Sequence, residues 1–143
     1  MAGESTILDT AFDNVAGVNF QPYQVAVVDA TNSGTIVTAA TTPGGALAQP
    51  LGVVYDKAKL DASNNPVANS GANIRLLGIA RVVANGAITP GAFVSVSGTN
   101  GRVQAQTQAG AGVQPKPVLG IALNQAGAAG DRIVVLLTPG VQY

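Results

Sequence analysis

Apolar and polar residues alternate along short stretches of this 143-residue chain, and turn-forming residues separate those stretches. Tyr23, Val25 and Val27 share one face at a period of two, and residues 93–96 alternate in the same way. A period of two is typical of a strand with one buried face. No segment longer than about ten residues sustains an apolar period of 3.6, so we expect helix to be minor.

The strand pattern occurs twice, first in residues 20–84 and again in residues 88–140. A longer loop in the first copy, residues 56–70, accounts for the difference in length between the copies. A turn-rich duplication of this kind predicts an all-β fold, a small β-barrel or sandwich with internal pseudo-symmetry over residues 20–143. The matched residues are Pro22 with Pro90, Leu51 with Leu119 and Gly52 with Gly120, all at a spacing of 68, and Ile74 with Ile133 at a spacing of 59.

Glycine and proline mark special positions within the repeat. Gly52 and Gly120 each interrupt an apolar strand, which suits a β-bulge or a close crossing of two backbones. The triplet Thr-Pro-Gly occurs at residues 42–44, 89–91 and 138–140. Proline followed by glycine fits a type II turn, so the sequence predicts a turn at each triplet.

Residues 1–19 lie outside the repeat and contain acidic residues but no Lys or Arg. We interpret this segment as an extended N-terminal arm that docks on a neighbouring copy or on another protein; a frayed terminus is the alternative. The docking interpretation is motivated by the apolar residues, which are unusual in a simple tail. Deletion of residues 2–15 is therefore expected to leave a folded protein that no longer binds its partner. The candidate partner-binding residues are Ile7, Leu8, Phe12, Val15 and Val18.

The composition excludes much of the chemistry that enzymes use. The chain has no histidine and no cysteine, which removes the commonest general base, the commonest metal ligand and any disulfide. Charged residues make up 10% of the chain and balance to zero, so no nucleic-acid partner is expected. The longest aliphatic run, residues 133–137, is too short to cross a bilayer, so no membrane partner is expected. A charge-poor surface fits a protein that is packed into an assembly.

The remaining polar groups do not form a convincing catalytic or metal site. The loop at 56–70 lacks the ligand spacing of a calcium loop, and we interpret it as a solvated insertion. Residues 127–131 lead into a strand and predict a turn, not a phosphate cradle. No catalytic residue, cofactor, metal or small-molecule substrate is therefore predicted. The scattered groups considered are Asp29, Asp56, Asp61 and Asp131 as a carboxylate pair, Lys57, Lys59 and Lys116 as a base, and Arg75, Arg81, Arg102 and Arg132 as solvated charges or intersubunit ion pairs.

The second copy resembles the small phage capsid cement, or head-decoration, proteins. The resemblance rests on residues 88–96, on the Gly-x-Val turn at 101–103, and on the strands at 118–123 and 129–136. The first copy matches more loosely, through residues 49–54 and 79–82, and the two copies together cover residues 20–140. It implies a β-barrel or "tulip" module on the outer surface of the mature capsid. It further implies that the module is a homotrimer and bridges subunits of the major capsid protein. Localisation in the virion, after assembly in the host cytoplasm, follows from the same resemblance.

The leading hypothesis is therefore a non-enzymatic virion protein that stabilises the phage capsid. The first alternative is a carbohydrate- or receptor-binding β-module of a phage fibre or surface adhesin. Its weakness is the small number of aromatic residues and the absence of tryptophan, because sugar sites usually stack sugars on exposed rings. The second alternative, a hydrolase with an unrecognised site, conflicts with the absence of histidine and cysteine.

Overall fold

The computed structural model of the protein describes residues 5–14, 21–28, 36–39, 50–56, 62–63, 72–97, 101–106 and 116–142. These stretches contain nine strands in one sheet and no helix. The all-β prediction is therefore confirmed. The strands are β1 (Ser5–Asn14), β2 (Val25–Val28), β3 (Ile36–Ala39), β4 (Pro50–Asp56), β5 (Ala72–Val83), β6 (Phe93–Val96), β7 (Val103–Ala105), β8 (Lys116–Ala122) and β9 (Arg132–Gln142).

The sheet closes on itself twice around the long strand β5. Its order is β1-β3-β2-β4-β5-β9-β8-β6-β7, and β1 also pairs with β5. The first lobe is thus a ring of β1, β3, β2, β4 and β5, and its β1–β3 pair is parallel. The second lobe contains β5, β9, β8, β6 and β7, and a bridge between Ala84 and Val103 closes it. The predicted barrel is present as two small barrel-like lobes that share β5.

The two lobes repeat the same strand pairing, residue by residue. Across β2 and β4, Ala26 faces Gly52. Across β6 and β8, the equivalent residue Val94 faces Gly120. The β2–β3 ladder and the β6–β7 ladder also pair residues that are equivalent in the two lobes. The duplication in the sequence is therefore also a duplication of pairing register.

Strand β1 belongs to this repeat, whereas the sequence placed residues 1–19 outside it. β1 pairs antiparallel with β5 and, at its end, parallel with β3. In the second lobe, β5 takes the place of β1. It pairs antiparallel with β9, and the parallel bridge from Ala84, just after β5, to Val103 joins it to β7. The structural repeat thus runs from β1 to β5 and again from β5 to β9. β5 is the last strand of the first lobe and the first strand of the second.

The two matched glycines lie where neighbouring backbones approach closely. A Cβ atom on Gly52 would overlap the carbonyl oxygen of Arg75, and one on Gly120 would overlap the carbonyl oxygen of Leu136. The β8–β9 ladder also has a register shift beside Gly120. Both positions require glycine because no side chain fits between the strands, as the interruption of each apolar strand predicted.

One of the sequence matches is wrong by two residues. The γ carbon of Ile74 lies beside Gly52, and the equivalent carbon beside Gly120 belongs to Val135. Ile74 therefore corresponds to Val135 and not to Ile133. Side chains alternate between the two faces of a strand, so a shift of two residues preserves the apolar pattern. Periodicity alone could not distinguish the two alignments.

Only one of the three Thr-Pro-Gly triplets forms a described turn. At 89–91 the φ angle of Gly91 is 82°, and the N–H of Ala92 donates to the carbonyl three residues before it at 3.2 Å. The triplet at 138–140 lies inside β9, so the turn prediction is wrong there. It coincides with the register shift in the β8–β9 ladder, where a strand tolerates proline. The triplet at 42–44 lies outside the described residues.

Each lobe has an apolar cluster, and the second cluster extends into the first lobe. Val25 of β2 and Val53 of β4 are fully buried among second-lobe side chains. Burial of a valine side chain contributes roughly 1.5–3 kcal/mol, so these two residues join the lobes firmly. The first-lobe cluster is Ala26, Val54 and Ile74, with Phe12, Leu51 and Leu76 packed against it. The other buried members of the second-lobe cluster are Ala80, Val82, Ala84, Ile88, Val94, Val96, Val103, Leu119, Ala122, Ala126, Ile133, Val135 and Leu137.

Candidate interaction surface

The residues proposed for partner binding are divided between the surface and the core. Leu8 is exposed on β1 and faces Leu77 of β5, which is also exposed. Phe12 is partly buried and packs against the first-lobe cluster. A role in partner binding stays a prediction, and Leu8 is the member whose described side chain is accessible. The side chain of Ile7 and the whole of Val15 and Val18 lie outside the described residues.

Arg75 is a buried cation that joins three strands. Its side chain is 3% exposed, and its Nε and Nη2 donate to the two carboxylate oxygens of Asp9 at 3.0 and 3.2 Å. Its Nη1 donates to the carbonyl of Ile79 at 3.1 Å. The ring of Tyr55 lies 4.4 Å from its Cζ. The sequence predicted a solvated charge or an intersubunit pair at Arg75; the ion pair is instead internal and fastens β1 and β4 to β5.

Tyr23 has a strained backbone conformation in the turn before β2, with a φ angle of 73°. Its N–H donates to Val54 at 2.9 Å, as that of the equivalent Gly91 donates to Ala122 at 2.7 Å. A side chain in this left-handed region costs about 1–2 kcal/mol, so glycine is the ordinary choice there. The ring of Tyr23 lies 4.9 Å from Cζ of Arg132 at the start of β9. The strained residue thus provides a contact between the lobes.

Two equivalent rows of side chains cross the sheet, one in each lobe. Directly opposed residues of neighbouring strands place their side chains on the same face, so each row shares a face. We call these sets the first row and the second row. The first row is Asp9, Arg75, Val53 and Val25, on β1, β5, β4 and β2. The second row is Ile79, Leu136, Ile121 and Phe93, on β5, β9, β8 and β6.

The rows differ in chemistry and in burial. Val25 is 0% exposed, whereas its equivalent Phe93 is 38% exposed. Val53 is fully buried, whereas its equivalent Ile121 is only partly buried. The first row contains an ion pair, and the second row is entirely apolar. The second row is therefore a partly exposed apolar stripe on the outer face of the second lobe.

The polar groups considered for catalysis have structural roles or lie outside the described residues. The carboxylate of Asp131 accepts hydrogen bonds from the N–H groups of Gly127 and Ala128 at 2.8 and 2.9 Å, which confirms the predicted turn. Within the described ranges, no three carboxylates come together in a group that could hold a metal ion. Asp29, Asp61, Lys57 and Lys59, and the side chains of Asp56 and Lys116, lie outside the described residues.

No helix in the described part of the chain is long and apolar enough to cross a membrane.

Sequence reasoning missed the second row and the Arg75–Asp9 pair. Both depend on which residues lie opposite each other across strands, and a single sequence does not specify this. One signal was available for Tyr23, because the repeated turn has glycine at the matching position and tyrosine is unexpected there. The exposure of Phe93 had no such signal, because its alternation is that of an ordinary strand.

No protein-family model and no curated protein sequence matches the chain. Among solved structures, the chain is similar to the crystal structure of the head fiber gp8.5 N base of bacteriophage phi29. The TM-score is 0.64 at 15% sequence identity, and the match covers 92% of this chain and 95% of that chain. At this identity the likeness shows a shared fold, and it extends over nearly the whole of both chains.

Proposed function

We propose that the protein is a non-enzymatic structural component of a phage virion that associates with the head. The observation that supports this most strongly is the fold shared with the phi29 head fiber base over nearly the full length of both chains. The composition agrees, because a chain without histidine or cysteine and with 10% charged residues suits a structural module better than a catalyst.

In its finer form, the proposal is that the protein binds the outer surface of the mature capsid and bridges subunits of the major capsid protein. The protein also binds further copies of itself, as a homotrimer. A ligand that binds one state of an assembly stabilises that state by mass action. Many copies on one shell would add their effects through avidity, even where each copy binds weakly. The resemblance of residues 88–136 to capsid cement proteins supports this form.

A second candidate is the base of a head fibre, which would attach to the head without stabilising it. The similarity to the phi29 protein favours this candidate, because that protein is described as the base of a head fiber. The two candidates differ in whether the shell becomes more resistant after binding.

Co-sedimentation of the purified protein with expanded phage heads that lack it tests both forms. Saturable binding with heads that resist heat or chelator better supports the capsid-stabilising form. Saturable binding without added resistance supports the fibre base. Absence of binding to heads, with the protein recovered on tails or free, contradicts the proposal.

We expect Leu8→Asp to weaken binding to heads, because Leu8 and Leu77 form an exposed apolar pair across β1 and β5. Loss of an apolar anchor at an interface typically reduces affinity by roughly 10-fold or more. The matched control is Leu123→Asp, an exposed leucine in the second lobe, which should bind heads like the wild type. Equal binding to heads by the Leu8→Asp variant and the wild type would refute a role of β1 in head binding.

A further inference from the structure

Within one chain, the second lobe covers one end of the first row. Val25 and Val53 of the first row belong to the second-lobe cluster. The N–H of Val25 donates to the carbonyl of Gly101, in the turn before β7, at 2.8 Å. β4 also contacts β8 and β9. The contact between the lobes therefore buries the β2 and β4 end of the first row.

In the part of the chain that the structure describes, no further lobe covers the same face of the second lobe. Phe93 and Ile121 correspond to Val25 and Val53 but remain partly exposed. Because the repeat equates the two lobes, the second row presents the surface to which another lobe would bind. In stacked repeats each unit buries its apolar face against a neighbouring unit, so a partly exposed apolar stripe at this position indicates a surface that can receive one.

In the first lobe, a set of apolar side chains is incompletely buried at the place where the second lobe receives the first row. In the second lobe, Val82, Leu119 and Leu137 are fully buried in the cluster that receives Val25 and Val53. Their first-lobe equivalents are only partly buried and pack against the first-lobe cluster. These equivalents are Phe12, Leu51 and Leu76. In the second lobe, the first row packs on the core and completes its burial. At the equivalent place in the first lobe, these apolar side chains remain partly exposed.

We propose that the second row of one copy docks on the first lobe of a second copy, in the way that the first row docks on the second lobe within the chain. Phe93 and Ile121 are the anchors, and Phe12, Leu51 and Leu76 of the next copy receive them. The contact joins different surfaces of the two copies, so it is head-to-tail and gives a ring or an open chain. The proposal deepens the self-association part of the proposed function by naming the face that carries it.

The test is the association state of the purified full chain, measured by analytical ultracentrifugation over a range of concentrations. We expect the wild type to form oligomers and Phe93→Asp to raise the dissociation constant by about 30-fold or more, as for loss of a central anchor. Circular dichroism and thermal unfolding should show that the variant remains folded.

Leu123→Asp is the matched control because it changes an equally exposed residue of the same lobe. Leu123 is 40% exposed, and its first-lobe equivalent Tyr55 stays 48% exposed although the second lobe covers Val53 nearby. The docking geometry therefore leaves Leu123 outside the contact, and this variant should associate like the wild type. Equal weakening by both variants would indicate general apolar association and would overturn the assignment.

A mixing experiment tests the head-to-tail geometry. A Phe93→Asp copy retains its receiving first lobe, so it should bind the second row of a wild-type copy and end the growing oligomer. Failure of labelled Phe93→Asp to bind wild-type copies overturns the head-to-tail arrangement. A wild type that stays monomeric at millimolar concentration overturns the proposal. If such a monomer bound phage heads, the proposed virion function would still be supported and only the docking proposal would fail. If the protein formed oligomers but did not bind heads, the docking proposal would be supported and the virion function would fail.

Discussion

At the scale of single residues, one turn shared by the two lobes contains Tyr23 in the first lobe and Gly91 in the second. Both follow a proline in equivalent turns, and both have positive φ angles. The sequence predicted the turn at Gly91, because proline and glycine are its usual residues. The repeat places Tyr23 at the matching position, but the residue type argues against the same conformation, because tyrosine disfavours it. Strain of this kind persists only where surrounding contacts hold the residue, here with Arg132 packed on the ring.

We expect Tyr23→Gly to be more stable than Tyr23→Ala. Both variants lose the ring and its contact with Arg132, but only alanine keeps a Cβ atom in the left-handed region. The expected difference in the free energy of unfolding is about 1 kcal/mol in favour of glycine. Urea unfolding of the two variants measures it.

The control is the same pair of substitutions at Gln104, an exposed residue inside β7. Glycine weakens a strand interior by roughly 0.5–1 kcal/mol relative to alanine, so the order should reverse. If alanine were the more stable residue at both positions, the backbone at Tyr23 would not be strained.

At the scale of elements, β1 is a strand of the first lobe, whereas the sequence predicted an extended arm that docks on a partner. It pairs with β5 over most of its length, and Asp9 neutralises the buried Arg75. From the sequence alone, deletion of residues 2–15 is expected to leave the domain folded. The structure changes that expectation, because the deletion would expose an edge of β5 and leave a buried guanidinium without its carboxylate.

We expect Asp9→Ile to destabilise the protein by about 2 kcal/mol, because it breaks an ion pair whose cation is buried. The second lobe has Ile79 and Leu136 at the equivalent positions. The double variant Asp9→Ile with Arg75→Leu copies that apolar pair into the first lobe and should recover most of the loss. Urea unfolding of both single variants and the double variant gives the coupling free energy, expected to exceed about 1 kcal/mol.

Thr10→Ile is the control for this cycle, because it changes the next exposed residue of β1 without touching the ion pair. It should alter the free energy of unfolding by less than about 0.5 kcal/mol. A double variant no more stable than Asp9→Ile alone would show that the apolar row of the second lobe cannot replace the ion pair.

At the scale of the whole molecule, the two lobes depend on each other. They share β5, and the second-lobe cluster contains Val25 and Val53 from the first lobe. Removing either lobe would therefore expose part of the core of the other. The dependence follows from the shared strand, and a duplication in sequence alone would be equally compatible with two separate domains.

We expect the protein to unfold in one cooperative transition at concentrations where it is monomeric. Val53→Ala should lower the free energy of unfolding by about 2 kcal/mol. Native-state hydrogen exchange should show the same loss of protection in β4 and in β9, although Val53 lies on β4. The equivalent substitution Ile121→Ala should cost less, because that side chain is partly exposed. A loss of protection confined to the first lobe would show that the lobes unfold independently.

The sequence by itself determined the strand periodicity, the internal repeat and the two glycines at close backbone crossings. Periodicity is local, and a repeat is found by comparing one stretch of the chain with another, so neither requires knowledge of tertiary contacts. Only the tertiary structure decided which equivalent positions are buried. Val25 and Phe93 occupy the same place in the repeat, yet one is covered by the second lobe and the other is exposed. Burial depends on what packs against a face, and equivalent faces of the two described lobes have different neighbours, because second-lobe side chains pack on Val25 whereas Phe93 is left partly exposed.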